Sequence, residues 1–495
     1  MWKWVKNLHK WCNRHEWILF LIVVILVLRA PSLIMPHYYG DEEIYFVMGR
    51  AWRSGVPLYQ AMFDHKPPLI YILAGLAPTM LAFRGLLAGM MILHTVLFWE
   101  LAKRFWQKTR PFMAYVSSAI FVLLTTLPTL EGLTVNAELL MMVPVTAGVL
   151  LLWNSKQAEW KKYGLAGLLL GLGWLYKIPV AADAAAIGLF FLVFKQKSWR
   201  ASLKALFSKS MMGYILGFVT PLAMTFAYYY LKGHGGSYLD TVLTMNLGYV
   251  SSWSTSAYTF NPFKSGLVVR GTILAVMTTG LYLARKKLDK SLILALLWFS
   301  YALFGALLSA RPYPHYLQEP VVPFALLVPY IFVAESLLSW ILLGVVAGSL
   351  LLMQRQVKFW GYPTMSVYQN FWQYVNHQIG SEEYLARFDN AKRNYAIAKY
   401  LNERLSPTAQ IYLWGSDATI YNLTERLPAG GKYIVSFHVH DLKKENYVID
   451  QLQKSRPKYI VKLPGSEEFT QLDELIEREY ILVNNTLGAE IYIRL

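Results

Sequence analysis

Three consecutive carboxylates, Asp41-Glu42-Glu43, follow Gly40, and a second charged group, Asp64-His65-Lys66, stands directly before Pro67-Pro68-Leu69. Phe83-Arg84-Gly85 closes the stretch. Around it the chain is apolar: of 495 residues 55% are hydrophobic, 15% aromatic and only 16% charged. Ionisable groups at membrane level are costly and mark functional sites by default. A carboxylate there can accept a proton, and a neighbouring ammonium or guanidinium can hold a phosphate.

Two local elements must position these groups. Ile44, Val47, Met48, Ala51 and Trp52 recur at helical spacing, with Glu42, Glu43, Arg50 and Arg53 opposite them. This pattern predicts a short amphipathic helix lying on the membrane surface. Asp41 stands where an N-cap belongs. Capping takes a single short polar residue, so Glu42 and Glu43 are left for other work. Residues 66–83 open with two prolines, which suit a first helical turn, and are interrupted by Pro78. That segment falls short of the roughly 20 residues a bilayer crossing needs.

Charge placement sets the topology. The net charge is +17, but its distribution excludes nucleic acid as the partner. With residues 66–83 kept juxtamembrane or re-entrant, the predicted spans are 17–34, 85–102, 112–129, 137–153, 163–178, 180–194, 211–231, 266–284, 291–309, 317–334 and 337–353. The cytoplasmic side then gathers 20 Lys and Arg residues, in the N-terminal segment and around 103–110, 156–162, 195–209 and 285–290. Outer loops and helix mouths carry eight, including Arg50, Lys66, Arg84, Lys177, Lys264 and Arg311. The positive-inside rule favours this arrangement and an uncleaved N-terminal anchor with a cytoplasmic N-terminus. The single Cys12 precludes an intramolecular disulfide and a cysteine metal cluster.

After residue 353 the pattern changes. Short β-rich runs at 410–414, 433–437, 458–461, 480–483 and 490–493 alternate with helical stretches at 390–405, 440–455 and 466–478. This predicts a small α/β domain over 354–495, with a mainly parallel sheet and a terminal hairpin, on the same outer face as Asp41. Residues 1–353 form the transmembrane module, with 35–84 as its first outer loop. His438 and His440 could bind metal, but an exposed strand end explains them better; no cofactor is expected, and a divalent metal is possible but unsupported by the sequence.

The outer mouths thus collect Asp41, Glu42, Glu43, Asp64, His65, Lys66, Arg84, Asn136, Glu138, Lys177 and the run Arg311-Pro312-Tyr313-Pro314-His315-Tyr316. A transport path would place charge near the bilayer midplane. An interfacial site suits transfer of a sugar from a lipid phosphate. One carboxylate accepts the proton of the incoming hydroxyl, and cations hold the phosphate as charge grows on it. Lys66, Lys177, Arg311 and His315 suit the second task, although Lys177 and Arg311 would also serve as snorkelling head-group contacts.

Together these pieces resemble the membrane glycosyltransferases of the GT-C fold. The motifs concerned are Gly40-Asp41-Glu42-Glu43, His65-Lys66-Pro67-Pro68-Leu69, Phe83-Arg84, Asn136-Ala137-Glu138, Lys177 and His315-Tyr316. The nearest groups are the protein O-mannosyltransferases, the lipid A aminoarabinose transferase and their bacterial relatives. The resemblance covers roughly the first 350 residues. It implies that Asp41 is the catalytic base, that donors are polyprenyl-phosphate sugars used with inversion, and that Lys66, Arg84, Lys177 and His315-Tyr316 line the donor-phosphate pocket. In several relatives a carboxylate directly precedes the Lys-Pro pair; here that place is His65, with Asp64 one earlier.

The expectation is a polytopic α-helical membrane protein of GT-C type, with about 11 transmembrane helices, juxtamembrane helices and a C-terminal soluble α/β domain. Its expected activity is transfer of a hexosyl or pentosyl group from a polyprenyl-phosphate donor to a protein, lipid or glycan hydroxyl, outside a prokaryotic plasma membrane. Asp41 and Glu42 are the expected catalytic pair. Glu43, Asp64, His65, Asn136 and Glu138 are expected to bind substrate. A lipid-linked sugar flippase and a transferase of whole oligosaccharides are the alternatives.

Overall fold

A computed structural model describes residues 2–107, 110–156, 159–246, 266–406 and 408–495, with side chains from His15 onward. Lys108 and Lys264, used in the charge count, lie outside the described residues, as does the side chain of Cys12. The chain packs as two compact units. One comprises residues 1–32, 85–227 and 245–364; the other comprises 33–84, 228–244 and 365–495.

The first unit is helical. Across the described chain five helices are long and apolar enough to cross a membrane: His15–Leu33, Met80–Trp106, Lys209–Leu231, Gly266–Ala284 and Leu337–Val357. Shorter apolar helices are Met113–Thr126, Ala137–Trp153, Val180–Phe194, Lys290–Ala306 and Val321–Val333. Small residues let some of them approach closely, as is usual where no aqueous hydrophobic drive operates. A Cβ on Gly167 would run into the carbonyl of Tyr214 on the Lys209–Leu231 helix. Two buried polar side chains of this unit have well-formed hydrogen bonds. Arg29 donates to the Thr125 carbonyl at 2.8 Å, and Trp298 Nε1 donates to Asp183 Oδ1 at 2.6 Å.

The second unit joins the first outer loop to the C-terminal part of the chain. The Gly40–Arg53 helix forms as its periodicity predicts, but its second face is not open to water: Glu42 and Glu43 are fully buried. Asp41 is also not the cap. Tyr39 holds the N-cap position with no side-chain hydrogen bond, and Asp41 lies in the first turn. Residues 66–83 are not one element. An eight-residue helix, Leu69–Leu76, ends before Pro78, and Met80 starts the long helix that runs to Trp106. Pro78 ends the first segment, and Thr79 Oγ1 accepts from the Ala82 amide at 3.2 Å to begin the next. At 1.5 Å per residue the short helix extends about 12 Å, too little to cross a bilayer. Helices Gly40–Arg53 and Leu69–Leu76 cross at Gly49 and Gly75, where a Cβ on Gly49 would lie 2.5 Å from the Gly75 nitrogen.

The sheet contains β1 (Ile411–Trp414), β2 (Tyr459–Lys462), β3 (Tyr480–Thr486) and β4 (Ala489–Arg494), in the order β1-β2-β4-β3. Only β1 and β2 are parallel; β4 is antiparallel to both β2 and β3, so the expected mainly parallel sheet is mixed. The run 433–437 is not a strand. Tyr433, Ile434 and Val435 are buried, and the chain then turns into the short Ser436–Asp441 helix. Burial explains these apolar residues without sheet pairing, an ambiguity inherent in short apolar runs.

Candidate active site

The loop before Leu69 is folded around two acid–base contacts. Lys66 Nζ lies 3.4 Å from Asp41 Oδ2 and 3.7 Å from Asp64 Oδ2. The Lys66 side chain is 7% exposed and that of Asp41 29%, so the carboxylate keeps an open edge while the ammonium is fixed from behind. Buried tyrosines frame the pair. Tyr45 OH donates to Asp41 Oδ2 at 3.0 Å, and Tyr71 OH donates to Asp64 Oδ2 at 2.7 Å. The Lys66 backbone is held at both ends, its N–H donating to Tyr71 OH and its carbonyl accepting from Tyr59 OH, each at 3.0 Å.

Burial alone would raise the Asp64 carboxyl. The Lys66 ammonium, His65 and His438 outweigh it and hold Asp64 well below the usual carboxylate range. Burial pushes both the Tyr71 and Tyr59 hydroxyls well above their ordinary value, with the charge of Asp64 adding to it at Tyr71 and Tyr229 and Tyr238 adding to it at Tyr59. These tyrosines therefore stay protonated as donors.

Glu42 and Arg84 close on each other. Arg84 Nη2 donates to Glu42 Oε2 at 2.6 Å and Nε to Oε1 at 3.1 Å, while Nη1 donates to the Met35 carbonyl at 2.7 Å. Both side chains are fully buried. Glu43 faces another direction. His37 Nδ1 lies 2.9 Å from its Oε1, and Asn422 Nδ2 donates to its Oε2 at 2.7 Å and to its backbone carbonyl at 2.8 Å. Three adjacent carboxylates thus have three environments, of which only that of Asp41 opens outward.

His65 Nδ1 lies 3.1 Å from Asp64 Oδ1, and His438 Nε2 lies 3.7 Å from the same atom. Asp64, His65 and His438 are the residues that could hold a metal ion among those described. His440 is exposed and 3.8 Å from Glu445.

The remaining expected residues lie in the helical unit. Lys177 pairs with Glu138, and its ammonium stands 3.8 Å over the Tyr316 ring. His315 Nδ1 is 2.6 Å from Glu131 Oε2, and its Nε2 is 3.9 Å from Glu138 Oε1. Asn136 precedes the Ala137–Trp153 helix and donates to Thr134 Oγ1 at 3.1 Å. Arg311 is half-buried, its amide donating to Ser309 Oγ at 3.4 Å. The structure therefore groups Asp41, Glu42, Glu43, Asp64, His65, Lys66 and Arg84 in one unit, and Asn136, Glu138, Lys177, Arg311, His315 and Tyr316 in the other.

Sequence reasoning missed Glu131, His37, Asn422, Tyr45, Tyr59 and Tyr71. Glu131 had a signal: it is a lone carboxylate between two apolar spans. Asn422 had none, because its partner Glu43 is 379 residues away.

No protein-family model matches the chain, and no curated protein matches it. Solved structures do. ArnT from Cupriavidus metallidurans bound to undecaprenyl phosphate superposes with a TM-score of 0.59 at 13% identity, over 97% of this chain and 98% of that one. The same protein in the apo state gives 0.55 at 14% identity, over 98% of each. The archaeal oligosaccharyltransferase AglB from Archaeoglobus fulgidus, in complex with an inhibitory peptide and a dolichol-phosphate, gives a TM-score of 0.44 at 12% identity, over 91% of this chain and 70% of that one. At these identities the likeness is one of fold: the chain has the GT-C fold that its motifs resemble.

Proposed function

We propose that this chain is an integral-membrane glycosyltransferase that moves a sugar from a polyprenyl-phosphate donor to an acceptor hydroxyl on the outer face of a prokaryotic plasma membrane. The observation that carries the reading is the Asp41–Lys66 pair, 3.4 Å apart, with Asp41 the partly exposed member. A fold shared with ArnT bound to undecaprenyl phosphate supports the donor class.

In this reading the Asp41 carboxylate accepts the proton of the acceptor hydroxyl as its oxygen bonds to the anomeric carbon. The bond from that carbon to the phosphate oxygen breaks, and the polyprenyl phosphate departs with the electron pair. Attack opposite the leaving group inverts the centre. Phosphate is a good leaving group, so a single base suffices and no protonating acid is required. Lys66 neutralises charge growing on the leaving phosphate, a preorganised electrostatic role. Lys177, with Arg311, His315 and Tyr316, is assigned to donor phosphate, and Asn136 and Glu138 to substrate binding or to holding those cations. Glu42 and Arg84 fix the start of the Asp41 helix, Glu43 ties that helix to the C-terminal fold, and Asp64 and His65 position Lys66.

The test is a panel of radiolabelled polyprenyl-phosphate sugars offered to the purified chain in nanodiscs. Release of polyprenyl phosphate from one donor, lost in Lys66→Met, is the expected result. No bond cleavage with any donor and any acceptor class would count against the reaction.

A further inference from the structure

The turns that carry Lys177 and His315 each lead to a buried acid that the transfer reaction does not use. Asp183 lies on the Val180–Leu189 helix, just after Lys177, and Glu319 follows the short helix Pro314–Gln318 that carries His315 and Tyr316. Their exposures are 0% and 1%. Trp298 Nε1, on the Lys290–Ala306 helix, donates to Asp183 Oδ1 at 2.6 Å. The same helix makes room for Glu319 at Gly305, where a Cβ would lie 2.5 Å from Glu319 Oε1 and 3.3 Å from Pro179 Cβ. Pro179 belongs to the Lys177 turn, so one helix receives both turns at a single glycine.

The two carboxyl groups lie within hydrogen-bonding reach of each other. Yet no N–H or O–H among the described residues donates to Asp183 Oδ2 or to Glu319 Oε1. Two ionised carboxylates cannot bond, because each only accepts. The cations nearby are engaged: Lys177, whose charge reaches Glu319, pairs with Glu138, and His315 Nδ1 meets Glu131. Two buried negative charges side by side cost far more than one. A proton held between the oxygens supplies the missing donor and removes one charge.

We propose that Asp183 and Glu319 share one proton and act as a positioning pair for the donor-phosphate site, tying the Lys177 turn to the His315–Tyr316 segment. The role rests on the sugar-transfer reading, in which Lys177, His315 and Tyr316 serve the donor phosphate. The Lys177 ammonium stands 3.8 Å over the Tyr316 ring, and the pair holds the two turns that set this contact. Both acids act through those side chains and not on the substrate. An amide can replace the protonated partner, since its N–H donates where the shared proton did. An apolar residue cannot.

The test uses the full chain in nanodiscs, infrared difference spectroscopy, and undecaprenyl phosphate as the ligand probe. Wild type minus Asp183→Asn, and wild type minus Glu319→Gln, should each show a protonated-carboxyl C=O band at neutral pH that shifts in deuterium oxide. Both amide variants should bind undecaprenyl phosphate within a few-fold of wild type. Asp183→Leu and Glu319→Leu should weaken binding by the folded protein by about tenfold or more, as misplacing a charge-assisted contact does. Leucine variants that melt earlier but bind as wild type would overturn the positioning role. If they do not fold, the amide variants and the infrared band decide. Absence of the band from both differences, a comparable loss of affinity in the amide variants, or stabilisation of wild type by sodium without the band would overturn the shared proton. If wild type does not bind undecaprenyl phosphate, the sugar-transfer reading and the positioning role fall together, while the band still decides the proton.

Discussion

Asn422 donates both to the backbone carbonyl of Glu43, at 2.8 Å, and to the Glu43 carboxylate, at 2.7 Å. One side chain of the C-terminal fold therefore fixes the first turn of the helix that carries Asp41. Arg50, two turns further along, donates to the Tyr421 and Asn422 carbonyls at 3.0 and 3.3 Å, so the helix is held at two levels.

Asn422→Ala removes both bonds and leaves the buried Glu43 carboxylate with His37, 2.9 Å away, as its side-chain partner among the described residues. The expected cost is about 1–3 kcal/mol. A thermal or denaturant melt of the purified protein measures it. Asn422→Asp should cost more, because it sets a second carboxylate against Glu43.

Breaking the Glu42–Arg84 pair should be more severe. Both partners are fully buried, and losing one strands the other charge, at about 3–5 kcal/mol. Arg84→Met and Glu42→Gln should each reduce folded yield in the membrane. The double variant should recover part of the loss, which a double-mutant cycle on melting temperature reads directly.

The close crossing of the two outer-loop helices gives a third expectation. A methyl on Gly49 would sit 2.5 Å from the Gly75 nitrogen and 2.9 Å from the Tyr71 carbonyl, both backbone atoms that cannot step aside cheaply. Gly49→Ala should destabilise by about 1–3 kcal/mol or more, despite its higher helix propensity. Gly40→Ala is the control, since nothing lies within 4 Å of a Cβ there.

Lys177 is expected to act on donor binding. Lys177→Met should raise KM for the polyprenyl-phosphate sugar by about tenfold or more, since one charge-assisted contact to phosphate is lost. Glu138→Gln should act in the same direction by releasing Lys177 from the position it holds over Tyr316. Steady-state kinetics at varied donor concentration separate this from an effect on turnover.

Much of this layout was legible in the sequence, because membrane-level charge is rare and helical periodicity is strong. The Gly40–Arg53 helix and the apolar helices followed from residue types; the 3.4 Å approach of Lys66 to Asp41 did not, because it depends on the fold of the loop between them. The buried state of Glu42 and Glu43 did not, because it depends on Arg84, His37 and Asn422, brought in by folding. For the same reason the local pattern placed Asp41 at a cap, whereas Tyr39 occupies that place and Asp41 faces Lys66. Tyr433-Ile434-Val435 has the composition of a strand, yet it is buried outside the four-stranded sheet and makes only an isolated backbone pairing, from Tyr433 to Phe63. His438 looked like a strand-end residue until that pairing set it next to Asp64.

The most direct test of the central claim compares wild type with Asp41→Asn in nanodiscs, measuring donor binding and label transfer separately on the same polyprenyl-phosphate sugar. The account predicts donor affinity within a few-fold of wild type and transfer reduced by about 10²–10⁴, the usual contribution of a general base. Transfer by Asp41→Asn at the wild-type rate would contradict the assignment of Asp41. Movement of intact donor across the bilayer by wild type, with no bond broken, would contradict the enzyme itself.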